Sequence, residues 1–362
     1  MKNIYKFLSL FLCALLMFGG LKTEVMAIER GGEEIRVASR FWELIFKDKE
    51  EKDKNQDIGE DEEKERPSLI PSGALFGLKL KTDGVIITSV EHPENRILCE
   101  GDILLALDGE KLHSAEDLKA KLNGKNEVTL TLMRGAKTEN KKHPVKDGAL
   151  GITVRDSALG IGTVTYINPD TGAFGGLGHG ITEASTGTLI PITSGDVTDV
   201  TLGGVTKGAE GKPGELCGVL RMSDRGDVLL NHECGVFGVL DAPETGESIP
   251  IAYRDEVHEG EATLLTTVRQ GKTLSYKIRI RDIDRDSTTN KSFLVEVTDP
   301  ALIALTGGIV RGMSGSPILQ DGKLVGALTH VLVASPTEGY GIFIENMLNA
   351  SESARNELPK AA

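Results

Sequence analysis

Three things are scarce in this chain: aromatic side chains, cysteine and positive charge. Aromatics make up 4% of the 362 residues, with one Trp. Against 43 glycines and frequent Val, Ile and Thr, that balance argues against helical bundles and for short strands joined by tight turns. Lys and Arg number 41 against 54 Asp and Glu, a formal net charge of −13, which excludes general nucleic-acid binding. Cysteine occurs four times. Cys13 lies inside the only long apolar run, and Leu12 before it is too large for a lipid-attachment site. Cys99, Cys217 and Cys234 remain, an odd number that rules out full intramolecular pairing. Cys217 and Cys234 can pair outside the cytoplasm or serve as small buried hydrophobes. His232-x-Cys234 has no second metal-like cluster, so no metal and no cofactor are expected.

The one uncharged apolar run, Phe7–Phe18, is short for a bilayer span. Behind the basic start of Lys2 and Lys6, and ahead of Val25-Met26-Ala27, it reads as an export signal over residues 1–27, removed or kept as an anchor. Residues 28–66 follow as a linker. Ile35 to Phe46 can form a short amphipathic helix, and Lys47 to Arg66 is too charged to bury a core.

Residues 67–147 read as a compact unit. Val85–Val90, Ile103–Leu107 and Val128–Met133 are strand-like, and Asp108-Gly109 is a turn. Ser114 caps a helix whose apolar side carries Leu118 and Leu122. From Gly148 to about residue 350 many short strand-like runs follow, among them Gly160–Tyr166, Val197–Leu202, Glu261–Val268, Ser275–Ile280, Ser292–Thr298 and Lys323–Leu328. Such a series suggests sandwich or barrel packing. Met347 to Glu357 reads as a helix, with a frayed tail within 351–362.

The chemistry concentrates in Gly312-Met313-Ser314-Gly315-Ser316-Pro317. Glycines on either side let Ser314 sit at the tip of a tight turn, with flanking N–H groups free to hold a developing oxyanion. A nucleophilic serine needs a base. His92, His113 and His143 belong to the preceding unit, and His258 sits in a charged stretch. His232, His330 and His179 remain. His179 lies in Gly175-Gly-Leu-Gly-His-Gly180, where the glycines leave its imidazole accessible, and it is the leading base. His330 is the runner-up and a candidate for lining the cleft. The acid is open among Asp196, Asp199, Asp224, Asp241 and Asp299, most of them expected to be turn or cap residues.

Two family resemblances follow from these residues. Glu100-Gly-Asp-Ile-Leu-Leu105, Asp108-Gly109, the helix Ser114–Leu122 and Val128 to Arg134-Gly135 resemble a PDZ domain. That implies a groove between a strand and a helix, taking an extended peptide as an added strand. By position the groove strand would be about Phe76–Lys79. The stretch from Gly312 onward resembles the last part of a chymotrypsin-type serine protease. There the serine turn leads into Ile318-Leu-Gln320, the Asp321-Gly-Lys-Leu324 hairpin, Val325–His330, Gly339–Phe343 and a terminal helix. The resemblance implies a mainly β fold, a chymotrypsin-like double β-barrel peptidase domain over 148–350, behind the PDZ unit and the signal segment. It also implies an oxyanion hole from the N–H groups of Gly312 and Ser314, and pairing of bound peptide with Thr329–Leu332. The pocket-floor position, six before the serine, falls on Gly308 and offers no acidic floor for Lys or Arg.

A closer resemblance covers most of the chain. Leu69-Ile-Pro-Ser-Gly73, Gly151-Ile-Thr-Val-Arg-Asp-Ser157, Gly160–Thr165, Leu177-Gly-His-Gly-Ile181, Thr298-Asp-Pro300, Thr306–Pro317 and Pro336–Ile342 resemble the SpoIVB peptidase family. The resemblance implies a sporulation serine endopeptidase exported across the forespore inner membrane into the intermembrane space. It would cleave a membrane-bound regulatory protein, and itself, to trigger processing of a late sigma factor. The PDZ domain would serve self-association and partner recognition. The family's His, Ser and Asp fall on His179, Ser314 and Asp299. Asp224 fits chymotrypsin-like spacing better as the acid. The alternative function is a non-catalytic PDZ scaffold binding a membrane-protein partner, and a weaker one a Cys234 hydrolase with His232.

Overall fold

The computed structural model describes residues 66–91, 97–242, 246–269 and 271–357. The export segment 1–27, the amphipathic stretch, nearly all of the charged linker and the tail 358–362 lie outside the described residues. Strands dominate what is described, and they close into two six-stranded barrels. Among the described residues no helix is long and apolar enough to cross a membrane.

The first barrel runs Leu75–Val90, Ile152–Ile167, Ala173–Gly176, Gly235–Leu240, Gly226–His232, Ile192–Thr198, and back to Leu75–Val90, every neighbour antiparallel. Its core gathers Phe76, Leu78, Leu80, Val164, Phe174, Val197, Val228 and Val236. The second barrel runs Gly260–Arg269, Lys272–Arg281, Phe293–Val297, Ser335–Phe343, Lys323–Leu332 and Pro317–Gln320. Leu264, Ile278, Val295, Val325 and Leu328 are fully buried inside it, with Phe293 against Phe343. Alternating apolar positions on these strands supply that inward face. Each such side chain contributes about 1.5–3 kcal/mol on burial.

The PDZ-like unit is a lobe on the first barrel. It contains Ile103–Leu107, Glu110–Lys111, the helix Ala115–Leu122, Glu127–Arg134 and Lys137–Pro144. Ser114 caps the helix by accepting from the Asp117 N–H at 3.1 Å, as the sequence pattern predicts. Two strands are shared with the barrel. Leu75–Val90 passes from the barrel into the lobe at a register shift between Lys81 and Ile86, and Ile152–Ile167 passes back. This changes the groove expectation. Gly77–Lys81 pairs on one side with Ile161–Ser157 and on the other with strand Ile192–Thr198, so both its edges are occupied. No peptide can add there. The strand beside the lobe helix is instead Ile152–Ser157: the Ala115 N–H donates to Asp156 Oδ2 at 3.0 Å.

The Val197–Leu202 run, expected as one strand, is two. Ile192–Thr198 stays in the barrel, and Val200–Thr206 starts a separate three-stranded sheet with Gly214–Leu220 and Val310–Arg311. That small sheet carries the chain into the serine turn. The last helix, Ile344–Glu357, starts three residues earlier than the sequence pattern suggests.

Candidate active site

Ser314 is held by a turn whose backbone is bonded from both barrels. The Thr163 N–H donates to Ser314 O at 3.0 Å, Thr163 Oγ1 to Gly312 O at 2.9 Å, and Thr165 Oγ1 to Gly315 O at 2.7 Å. From the second barrel, Gly315 N–H donates to Leu328 O at 2.8 Å. Met313 is fully buried and pins the turn from beneath. Gly315 has φ +94°, and a Cβ there would stand 2.0 Å from Thr163 O, so only glycine permits this approach. Met313 N–H is tied to Val310 O, whereas the N–H groups of Gly312 and Ser314 have no hydrogen-bond partner among the described residues. These are the two donors that an oxyanion hole on this motif requires. Ser316, two residues on, is buried and donates to Thr266 Oγ1 at 2.9 Å, a structural hydroxyl.

His179 comes from the first barrel, just past the strand Ala173–Gly176. Leu177 and Gly178 both take left-handed φ values, 63° and 67°, which swing the loop toward the second barrel. Gly178 sits against Thr329 and Gly180 against His232 O, each too close for a side chain. His179 Nδ1 lies 2.8 Å from Gly180 O. That carbonyl accepts Nδ1–H and leaves Nε2 unprotonated. Burial pushes the imidazole below the ordinary histidine value of 6.5, partly opposed by the Gly180 hydrogen bond. At neutral pH His179 is a free base.

Both residues line one cleft of about 860 Å³ between the barrels. The Ser314 hydroxyl donates to Thr329 O at 2.6 Å. His330 lines the same cleft, its ring centroid 4.7 Å from that of His179 with the planes 35° apart. Burial, with the His179 and Lys291 charges, holds its pKa at about 4, and its Nδ1 is buried without a hydrogen-bond partner among the described residues. Thr329, expected to pair with bound peptide, has a buried side chain. Its hydroxyl donates to Asn290 O and Tyr340 O, and only its carbonyl faces Ser314.

The expected acid does not join this group. Asp299 caps the helix Pro300–Thr306, accepting from Ala301 N–H at 2.9 Å and Leu302 N–H at 3.4 Å, while its other oxygen accepts from Lys277 N–H. Slight burial raises its pKa, but those backbone donors outweigh it and hold the carboxyl below the usual range. Asp-Pro before a short helix is a cap signature, and capping is what it does. Asp224 is also remote. It precedes Gly226–His232 at the end opposite to His232, where burial, followed by the charges of Asp241, Asp224 and Asp196, raises the pKa of Asp227. Among the described residues no carboxylate is hydrogen-bonded or ion-paired to His179. The Gly180 carbonyl occupies the orienting position. Cys217 is exposed and Cys234 buried, both unpaired, and His232 Nδ1 accepts from Cys234 N–H.

The cleft also contains residues that sequence patterns alone did not mark. Glu233 and Asn290 face each other across the barrel boundary, with Asn290 Nδ2 donating to Glu233 O at 2.8 Å. Leu159, Gly160 and Ile161 line the opposite mouth. Glycines inside a strand, at 160 and 162, were the available signal that another backbone approaches there.

Residues 146–348 match the family model described as SpoIVB peptidase S55. No curated protein matches the chain significantly. Among solved structures, the PDZ domain of the SdrC-like protein from Listeria monocytogenes is 26% identical over 20% of this chain and 87% of that one, with a TM-score of 0.19. The active form of the Rv3671c protease from M. tuberculosis is 11% identical over 57% of this chain and 77% of that one, TM-score 0.30. An HtrA-type protease, AlgW with decapeptide, is 10% identical over 79% and 64%, TM-score 0.36. The family match spans more than half the chain and contains the serine turn and the His179 loop. The chain belongs to the SpoIVB peptidase S55 family and is a serine peptidase.

Proposed function

We propose that this SpoIVB-family peptidase cuts peptide bonds with a Ser314–His179 pair, the Gly180 carbonyl standing where related enzymes use a carboxylate. The observation that carries this is the serine turn: its hydroxyl and two unpartnered N–H groups open on the cleft that His179 enters from the other barrel. Rotation about the Ser314 Cα–Cβ bond takes the hydroxyl from Thr329 O toward His179. Nε2 accepts its proton as Oγ attacks the substrate carbonyl. The Gly312 and Ser314 N–H groups hold the oxyanion. The imidazolium is stabilised by the Gly180 carbonyl dipole and gives its proton to the leaving amine. Water then resolves the acyl-enzyme by the reverse path.

The same reading assigns the chain to sporulation signalling. The support is the family itself, the export-like segment at residues 1–27 and the PDZ-like lobe beside the cleft. The substrate would be a membrane-associated regulatory protein, and the chain itself. The site of action would be the space between the forespore membranes, with the N-terminal segment cleaved or kept as an anchor. A fluorophosphonate probe tests the chemistry. Mass spectrometry of tryptic peptides should place the adduct on Ser314, and no adduct on folded protein would overturn the reading.

A further inference from the structure

Immediately after His179 and Gly180 the chain leaves the barrel as an arm, Ile181–Ile190, and returns beside the point where it left. Asn231 ties its two ends together. Ile181 N–H donates to Asn231 Oδ1, and Asn231 Nδ2 donates to Ile181 O and Ile190 O, each at 2.8 Å. Farther out the arm bonds to itself: Glu183 N–H donates to Thr188 O, and Gly187 N–H to Glu183 O, both at 2.8 Å. Thr182, Gly187 and Leu189 line the cleft beside His179. Leu189 also lies against Gly180, where a Cβ would stand 2.3 Å from its Cδ1. The Gly180 carbonyl is the group that orients His179 Nδ1, so the arm backs the base.

Asn231 fixes only the root of this arm. Its outer half is held by a charge pair and by the PDZ-like lobe. Glu183 is buried, and Arg155 Nη2 donates to its Oε2 at 2.5 Å. The other carboxylate oxygen receives only Ser185 N–H and Oγ, at 3.5 and 3.4 Å. Among the described residues Arg155 is the one cation paired with Glu183. A buried carboxylate without a counter-charge is costly, so losing Arg155 would pull the arm toward water. Arg155 is committed to this contact as well, because its Nε is buried without a hydrogen-bond partner among the described residues. It stands on the strand Ile152–Ile167, and its neighbour Asp156 points to the opposite face. There Asp156 Oδ2 accepts from the Ala115 N–H at the start of the lobe helix, which anchors the strand that presents Arg155. The lobe meets the tip of the arm too: a Cβ at Gly101 would stand 2.4 Å from Thr186 Cγ2 and 2.5 Å from Ser185 Oγ.

We infer that Arg155 is a positioning residue for catalysis. Through Glu183 it holds the arm against Gly180, and the arm in turn fixes the carbonyl that orients His179. Arg155 lies outside the lining of the cleft and acts at two removes from the reacting atoms. Its loss should therefore slow the attack of Ser314 and leave binding in the cleft nearly unchanged. The inference rests on the serine-peptidase reading above and adds to it a residue that neither touches substrate nor contacts the Ser314–His179 pair.

The test follows inactivation of full-length protein by the fluorophosphonate probe over a range of probe concentrations, with the fold of each variant checked by circular dichroism. In Arg155→Met the maximal rate of Ser314 labelling should fall about tenfold to a hundredfold, while the half-saturating concentration stays within about twofold. Arg155→Lys restores a cation opposite Glu183 and should recover most of the rate. Because Arg155→Met leaves a buried carboxylate unpaired, the double variant Arg155→Met/Glu183→Gln is measured beside it. It removes both charges, should fold, and should label as slowly as the single variant. A folded double variant that labels as fast as the parent would overturn the inference, and so would an Arg155→Lys variant no faster than Arg155→Met. If the parent itself takes no label on Ser314, the peptidase reading falls and this inference with it.

Discussion

The two halves of the active site are built to different degrees of rigidity. On the serine side, four backbone groups of one short turn are bonded to Thr163, Thr165 and Leu328, with Met313 buried below. On the histidine side, a single hydrogen bond among the described residues orients the imidazole, from Nδ1 to the carbonyl of the next residue, with the His330 ring beside it. The nucleophile and the oxyanion donors are thus positioned in advance, which is where electrostatic preorganisation gains most. The base depends on close packing of a glycine loop, with Gly178 pressed on Thr329. A backbone carbonyl cannot ionise, so it fixes the tautomer and stabilises the imidazolium less strongly than a carboxylate would.

Removing the central group of either half should have the largest effect. Ser314→Ala and His179→Ala should each lower kcat on the order of 10⁶-fold, and the double variant should lose no more than either alone, because the two act as one unit. Ser316→Ala serves as the control. Its hydroxyl bonds only to Thr266 Oγ1, so most activity should remain. A retained rate in Ser314→Ala together with a loss in Ser316→Ala would reverse the assignment.

A smaller effect sharpens the histidine side. His330 has a pKa of about 4 in the folded chain against an ordinary 6.5. Between those values the unfolded chain binds a proton that the folded chain does not, so stability should rise with pH across that window. It should be lost progressively as pH falls from about 6.5 to about 4. In His330→Gln, chemical denaturation at a series of pH values should show a shallower slope there. An unchanged slope would mean that the cleft hydrates His330 more than its buried Nδ1 indicates.

Much of this was legible in the sequence. The Gly-x-Ser-Gly-x-Pro turn and the glycines around His179 are local patterns whose geometry follows from side-chain size, and the structure brings both to one cleft. Ser114 and the alternating strands were equally readable. What failed was long-range. Gly73-Ala-Leu-Phe-Gly77 and Gly148-Ala-Leu-Gly151 are near copies, each leading into a long strand. Propensity cannot say which copy keeps a free edge, because that depends on strand Ile192–Thr198 closing the barrel over Gly77–Lys81. Asp299 failed for a similar reason. Its Asp-Pro context describes a cap correctly, but a cap signature carries no information on distance to His179.

Asp299→Asn is the most direct test of the claim that the Gly180 carbonyl, not a carboxylate, orients the base. Asn caps helices about as well as Asp, so the change keeps the cap of the helix Pro300–Thr306 while removing the charge and the oxygen that accepts from Lys277 N–H. Steady-state kcat/KM of the folded variant should stay within about tenfold of the parent, whereas Asp299→Ala should cost about 1 kcal/mol of stability through the lost cap. A fall in kcat of about 10⁴ in Asp299→Asn, with the fold intact, is what loss of a triad acid produces. That result would contradict the account.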